Sequence, residues 1–94
     1  MLKKMKDEIE LLSRHIMVAR AVAEHQPIGI MKLAELLDLP SHRIRYSLHI
    51  LEQLDYIRAS PDGAVATAQT LDLFAHLNED LEELISLLDA MKKP

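Results

Sequence analysis

With 94 residues, 49% of them hydrophobic, the chain has the size of one small domain and is too short to bury a large core alone, so association with a second copy is an expected source of stability. It has no cysteine, which excludes a disulfide framework and a Cys-based zinc site and fits a reducing cytoplasm, the expected location. The formal net charge of −4 lacks the strongly basic signature that would announce a nucleic-acid binder outright.

The N-terminal helix comes first. Leu2, Met5, Ile9, Leu12, Ile16, Ala19 and Ala23 recur at alternating steps of three and four, a heptad seam. Val18 and Val22 widen the apolar face in the second half, so residues 13–25 serve as the first helix of a folded core and residues 1–12 extend beyond it. Met1-Leu2-Lys3-Lys4 leads into this amphipathic helix rather than into a signal peptide, and no apolar run approaches a membrane span, so no membrane partner is expected.

Met31 to Leu37 reads as a short amphipathic second helix, followed by the turn Asp38-Leu39-Pro40. Ser41 offers a side-chain oxygen to cap a third helix running to about Leu54, with Ile44, Leu48, Leu51 and Leu54 on its buried face. Two helices joined so tightly cross at a steep angle. The pattern then changes to Tyr56-Ile57-Arg58-Ala59 and Ala64-Val65-Ala66-Thr67, flanking Ser60-Pro61-Asp62-Gly63, which reads as a β-hairpin with Gly63 at a positive dihedral.

Residues 13–68 resemble winged helix-turn-helix transcriptional regulators, in particular the small archaeal predicted regulators of about this length. The resemblance rests on Ala34 in the second helix, Leu39 in the turn, Ile44, Leu48 and Leu51 on the third helix, and Tyr56-Ile57 leading into the hairpin. Asp38 and Asp55 stand where such proteins usually have glycine at a left-handed helix end, a conformation Asp tolerates better than most residues. The resemblance implies that the third helix enters the DNA major groove and that the hairpin acts as a wing on the backbone.

A C-terminal helix is expected from near Thr70, with Phe74, Leu77, Leu81, Leu84, Leu88 and Met91 forming a second heptad seam. The two seams could pack antiparallel within one chain. Additional apolar residues, Leu11, Ile85 and Leu87, favour a homodimer in which two chains share a core through Leu2, Met5, Ile9, Leu12 and the residues of the second seam. The expected fold is therefore mainly α with a small β-hairpin: one winged helix-turn-helix domain over residues 1–94, with a core at 13–68 and dimerisation helices at 1–12 and 69–94.

Charge along the chain singles out the third helix. Residues 1–26 carry five cations and four acids, residues 27–68 four and five, and residues 69–94 two and six, so the acidity lies mainly at the C-terminal end. His42, Arg43 and Arg45 occupy the first turns of the third helix, and Glu52 and Asp55 its far end. The helix macrodipole prefers the reverse by roughly 0.3 to 1 kcal/mol per exposed charge. A polyanion meeting this helix start would find unbonded backbone N–H groups and two guanidinium groups. The expected DNA-binding set is Ser41, His42, Arg43, Arg45, Tyr46, His49 and, from the hairpin, Arg58, with Lys32 a weaker phosphate candidate. The competing reading is a solvated face whose arginines pair with nearby acids. Tyr46 could donate to a phosphate or cover the edge of the core, and Arg58 could touch phosphate or only water.

Catalytic and metal signals are poor. His42 and His49 are two turns, about 10 Å, apart on one helix, too far for a single ion. His15, His25 and His76 have no ligand partner at useful spacing, and Glu79, Asp80, Glu82 and Glu83 spread around an exposed helix face. The glycines, Gly29 and Gly63, form no phosphate loop, and no nucleophile has an evident base. The chain is thus expected to be a non-enzymatic, cofactor-free, homodimeric regulator of transcription binding double-stranded DNA. A protein-docking winged module and a sequence-tolerant architectural DNA binder are the alternatives. Target sequence, effector ligand and sign of regulation are not legible in the residues.

Overall fold

Val18, Ala19, Ala21 and Val22 form a contiguous buried patch on one side of a long helix, and the rest of the core is built against it. The computed structural model describes residues 1–93, so Pro94, where the expected last segment ends, lies outside the described residues. The elements are α1 (Leu2–His25), α2 (Ile30–Leu37), α3 (Ser41–Gln53), β1 (Ile57–Ser60), β2 (Gly63–Ala66) and α4 (Ala68–Ala90). The architecture is mainly helical with one small antiparallel hairpin.

Leu33 of α2, Ile44 and Leu51 of α3 and Ile57 of β1 close the core over α1, each at most 3% exposed. The α2–α3 link turns sharply because Asp38 adopts the left-handed conformation (φ 53°, ψ 48°), letting Leu39 N–H reach back to the Ala34 carbonyl at 3.1 Å. Asp55 (φ 65°) ends the α3 segment in the same region of backbone space, as its substitution for glycine anticipates.

β1 and β2 pair in the register Ile57 to Ala66 and Ser60 to Gly63, leaving Pro61 and Asp62 as a two-residue loop. Each strand sits one residue away from the expected segment, Tyr56–Ala59 becoming Ile57–Ser60 and Ala64–Thr67 becoming Gly63–Ala66. The α1–α2 link docks on the free edge of β2: Ile28 and Ala64 exchange N–H to carbonyl bonds of 3.2 and 2.8 Å, and Ala66 N–H donates to Gln26 Oε1 at 2.8 Å. Gly63 (φ 132°) lies beneath this crossing, where a Cβ would stand 2.6 to 2.7 Å from the Ile28 backbone.

Three expected helix details are corrected. Ser41 is not the cap of α3 but its first helical residue; Pro40 is the cap, its carbonyl accepting from Arg43 and Ile44 N–H at 3.0 and 3.2 Å. Leu54 lies beyond α3 and is 56% exposed, so it leaves the buried face that Ile44 and Leu51 occupy. The last helix starts at Ala68 with Thr67 as its cap, while Thr70 is buried within the first turn and donates its hydroxyl to the Tyr56 carbonyl at 2.5 Å. The Thr67 hydroxyl makes no cap bond because it donates instead to the Asp55 carbonyl at 2.6 Å.

The principal extents are 53 × 27 × 21 Å. Residues 1–10 and 82–93, toward the outer ends of α1 and α4, are exposed throughout. Among the described residues no helix is long and apolar enough to cross a membrane.

Candidate nucleic-acid interface

Helical geometry decides what α3 presents. Ile44, Ser47 and Leu51 turn into the core, so His42, Tyr46 and His49 point away from it and are exposed. Arg43 and Arg45, also exposed, are separated by two residues, about 200° of helix rotation, and so stand on opposite flanks of that outward face. The expectation of two guanidiniums acting together is corrected to that extent: Arg43 lines a cleft against α1, and Arg45 lies on the far side. Ser41 is half-buried. Arg58 alternates with the buried Ile57 and is exposed on β1.

The distribution of ion pairs bears on the competing reading. Among the described residues the pairs are Lys3–Asp7 (3.1 Å), Lys6–Glu10 (3.9 Å), His76–Asp72 (3.6 Å) and Lys92–Asp89 (3.4 Å), two in the first half of α1 and two within residues 72–92. Lys32, Arg43, Arg45 and Arg58 are absent from that set. Arg43 and Arg45 have no ion-pair partner among the described residues, a state they share with Lys4, Arg14 and Arg20. The unfavourable placement of cations at the start of α3 stands without local compensation.

Beneath the exposed face lies a contact between distant segments. His15 Nδ1 and Ser47 Oγ are 2.8 Å apart, and the Tyr46 ring lies 5.9 Å from that of His15 at a tilt of 36°. Ser47 is fully buried and needs a partner, which the half-buried His15 supplies. Burial, with a smaller contribution from the Arg14 charge, pushes the His15 pKa below its usual 6.5. A lone serine on an otherwise apolar helix face was the available sequence signal for this bond; the identity of its partner was not.

The two seams divide between core and surface. Leu77 is buried and Phe74 packs against the core with Arg20 over its ring at 5.1 Å, so these two of the expected dimerisation residues are already used within the chain. Leu81 is half-buried, while Leu2, Met5, Ile9, Leu12, Leu84, Leu88 and Met91 remain exposed. Where α1 and α4 come near each other they flank an open apolar groove of about 270 Å³, walled by Leu12, Ile16, Leu81 and Leu84. One chain does not close its own seams.

No protein-family model matches the sequence, and no curated protein matches it either. Among solved structures, the chain is similar to the activation domain of the phage T4 transcription factor MotA, with a TM-score of 0.58 at 19% identity, over 72% of this chain and 78% of that one. At that identity the likeness is one of fold.

Proposed function

We propose that the chain is a winged helix-turn-helix regulator of transcription that binds double-stranded DNA as a homodimer, with α3 in the major groove and the β1–β2 hairpin as the wing. The observation that carries this reading is the unpaired state of Arg43, Arg45 and Arg58 on the exposed side of α3 and the hairpin, in a chain whose ion pairs lie elsewhere. Cations kept free at the start of a helix, against its dipole, suit an external polyanion better than they suit the helix. His42, Tyr46 and His49 would reach base edges, Arg45 and Arg58 phosphates on either side, and the exposed seam residues of α1 and α4 would join two chains and set the distance between half-sites. The chemistry is binding, with no catalytic step and no cofactor.

The likeness to a transcription-factor domain adds a second reading, because that domain is described as an activation domain. In this reading the exposed apolar and acidic face of α4 docks a protein partner. Selection from a random duplex pool separates the two. Enrichment of a two-fold symmetric site supports the dimeric regulator, enrichment without symmetry a monomeric one, and weak retention without enrichment an architectural binder. No retention leaves protein docking.

A further inference from the structure

Beyond the groove that they flank, α1 and α4 each continue as an uncovered helix, and each keeps an apolar stripe there. On α1 the stripe is Leu2, Met5, Ile9 and Leu12, within about 80° of the helix circumference. On α4 it is Leu84, Ile85, Leu87, Leu88 and Met91, across about 160°. These nine side chains are each at least 41% exposed. At about 60 to 120 Å² apiece, the area equivalent of burying one leucine, they offer roughly 500 to 1,000 Å² per chain, against the about 800 Å² per partner of a stable interface.

The charges beside the two stripes differ. From residue 79 to residue 91, α4 carries Glu79, Asp80, Glu82, Glu83 and Asp89 and no cation. Glu83 and Asp89 border its stripe on opposite sides, about 40° beyond Leu87 and Ile85. The stripe on α1 has mixed borders, Lys6 about 40° beyond Leu2 and Glu8 about 40° beyond Leu12, with Lys4 one step further out. The ion pairs of this segment, Lys3–Asp7 and Lys6–Glu10, lie in solvent, where exchanging one partner for another costs little.

We propose that two copies of the chain pair crosswise, α1 of each lying on the α4 stripe of the other, with apolar side chains of the partner's α1 filling the groove walled by Leu12, Ile16, Leu81 and Leu84. A two-fold axis repeats the contact, so both stripes of both chains are covered at once. Pairing α4 with its own copy would set five acids against five, and pairing α1 with its own copy would leave the wider stripe bare. Crosswise pairing sets the acids of α4 against the segment that holds Lys3, Lys4 and Lys6. This inference rests on the homodimer proposed above, specifies which helices join it, and does not depend on DNA.

The test is a charge exchange on the full chain, read by sedimentation at micromolar concentration and about 50 mM salt, where charges are weakly screened. One variant carries Lys4→Glu and Lys6→Glu, the other Glu83→Lys and Asp89→Lys; all four positions are exposed, and circular dichroism checks that helicity is kept. Each variant alone is expected to associate roughly tenfold or more weakly than the wild-type chain, because like charges now meet across both copies of the contact. An equimolar mixture is expected to dimerise again, as is a single chain carrying all four substitutions. Pairing of α1 with α1 would spare the second variant, pairing of α4 with α4 would spare the first, and neither would be rescued by mixing. Either pattern overturns crosswise pairing and leaves the homodimer standing. A wild-type chain that sediments as a monomer overturns both and leaves the stripes to a different protein.

Discussion

His15 on α1 and Ser47 on α3 meet at 2.8 Å beneath the outward face of α3, joining the long helix to the element that carries the candidate contacts. The bond consumes the hydroxyl of a fully buried serine, so Ser47→Ala removes one partner and leaves a half-buried imidazole nitrogen unsatisfied. The expected loss is about 1 to 3 kcal/mol in a denaturant titration, with the fold retained.

The same contact gives stability a pH dependence. The His15 pKa is lowered in the folded chain, mainly by burial, so over the interval just below 6.5 the unfolded chain binds more protons than the folded one. The contribution is present above pH 6.5 and is lost as pH falls through the lowered folded value. Thermal melts taken from pH 7 toward pH 5 are expected to show a falling midpoint in the wild-type chain and a flatter profile in His15→Gln.

Gly63 is the position in the hairpin least able to accept a side chain. Its φ of 132° is unfavourable for any L-residue, and a Cβ would stand 2.6 to 2.7 Å from the Ile28 backbone that pairs with Ala64. Gly63→Val is therefore expected to cost at least about 1 to 3 kcal/mol from backbone strain, plus the displacement of Ile28. Amide exchange should show Ala64 N–H losing its protection, whereas Asp62→Ala, in the exposed loop, leaves it intact.

The exposed seam predicts association. Leu84 and Leu88 are each 47% exposed, and burying such a leucine fully contributes roughly 1.5 to 3 kcal/mol. Sedimentation at micromolar concentration is expected to show a dimer for the wild-type chain. A variant carrying Leu84→Asp and Leu88→Asp should be a monomer of unchanged helicity, since neither side chain belongs to the core. A wild-type monomer would exclude pairing through these helices.

Much of this organisation is local, and local features were legible. The heptad steps marked both long helices, and Asp38 and Asp55 marked left-handed helix ends. What escaped depends on distant partners. Nothing near Thr70 says that its hydroxyl is drawn to the Tyr56 carbonyl rather than to a helix cap, and nothing near Ile28 announces a bridge to Ala64. Leu77 and Leu84 fall on one seam, yet only the packing of α4 against the core buries the first and leaves the second in solvent. The separation of Arg43 from Arg45 follows from helix geometry, but which flank meets α1 depends on how the two helices pack.

The DNA-binding assignment of α3 and the hairpin meets its most direct test in the affinity of the chain for a labelled duplex between about 50 and 200 mM salt. The wild-type chain should bind at the lower concentration and lose affinity steeply toward the higher. Arg45→Ala and Arg58→Ala should each weaken binding, flattening the salt dependence by about one where a phosphate contact is lost, and by roughly 1 to 3 kcal/mol on the preferred site alone where a base contact is lost. No binding at the lower salt, or binding indifferent to both substitutions, would contradict it.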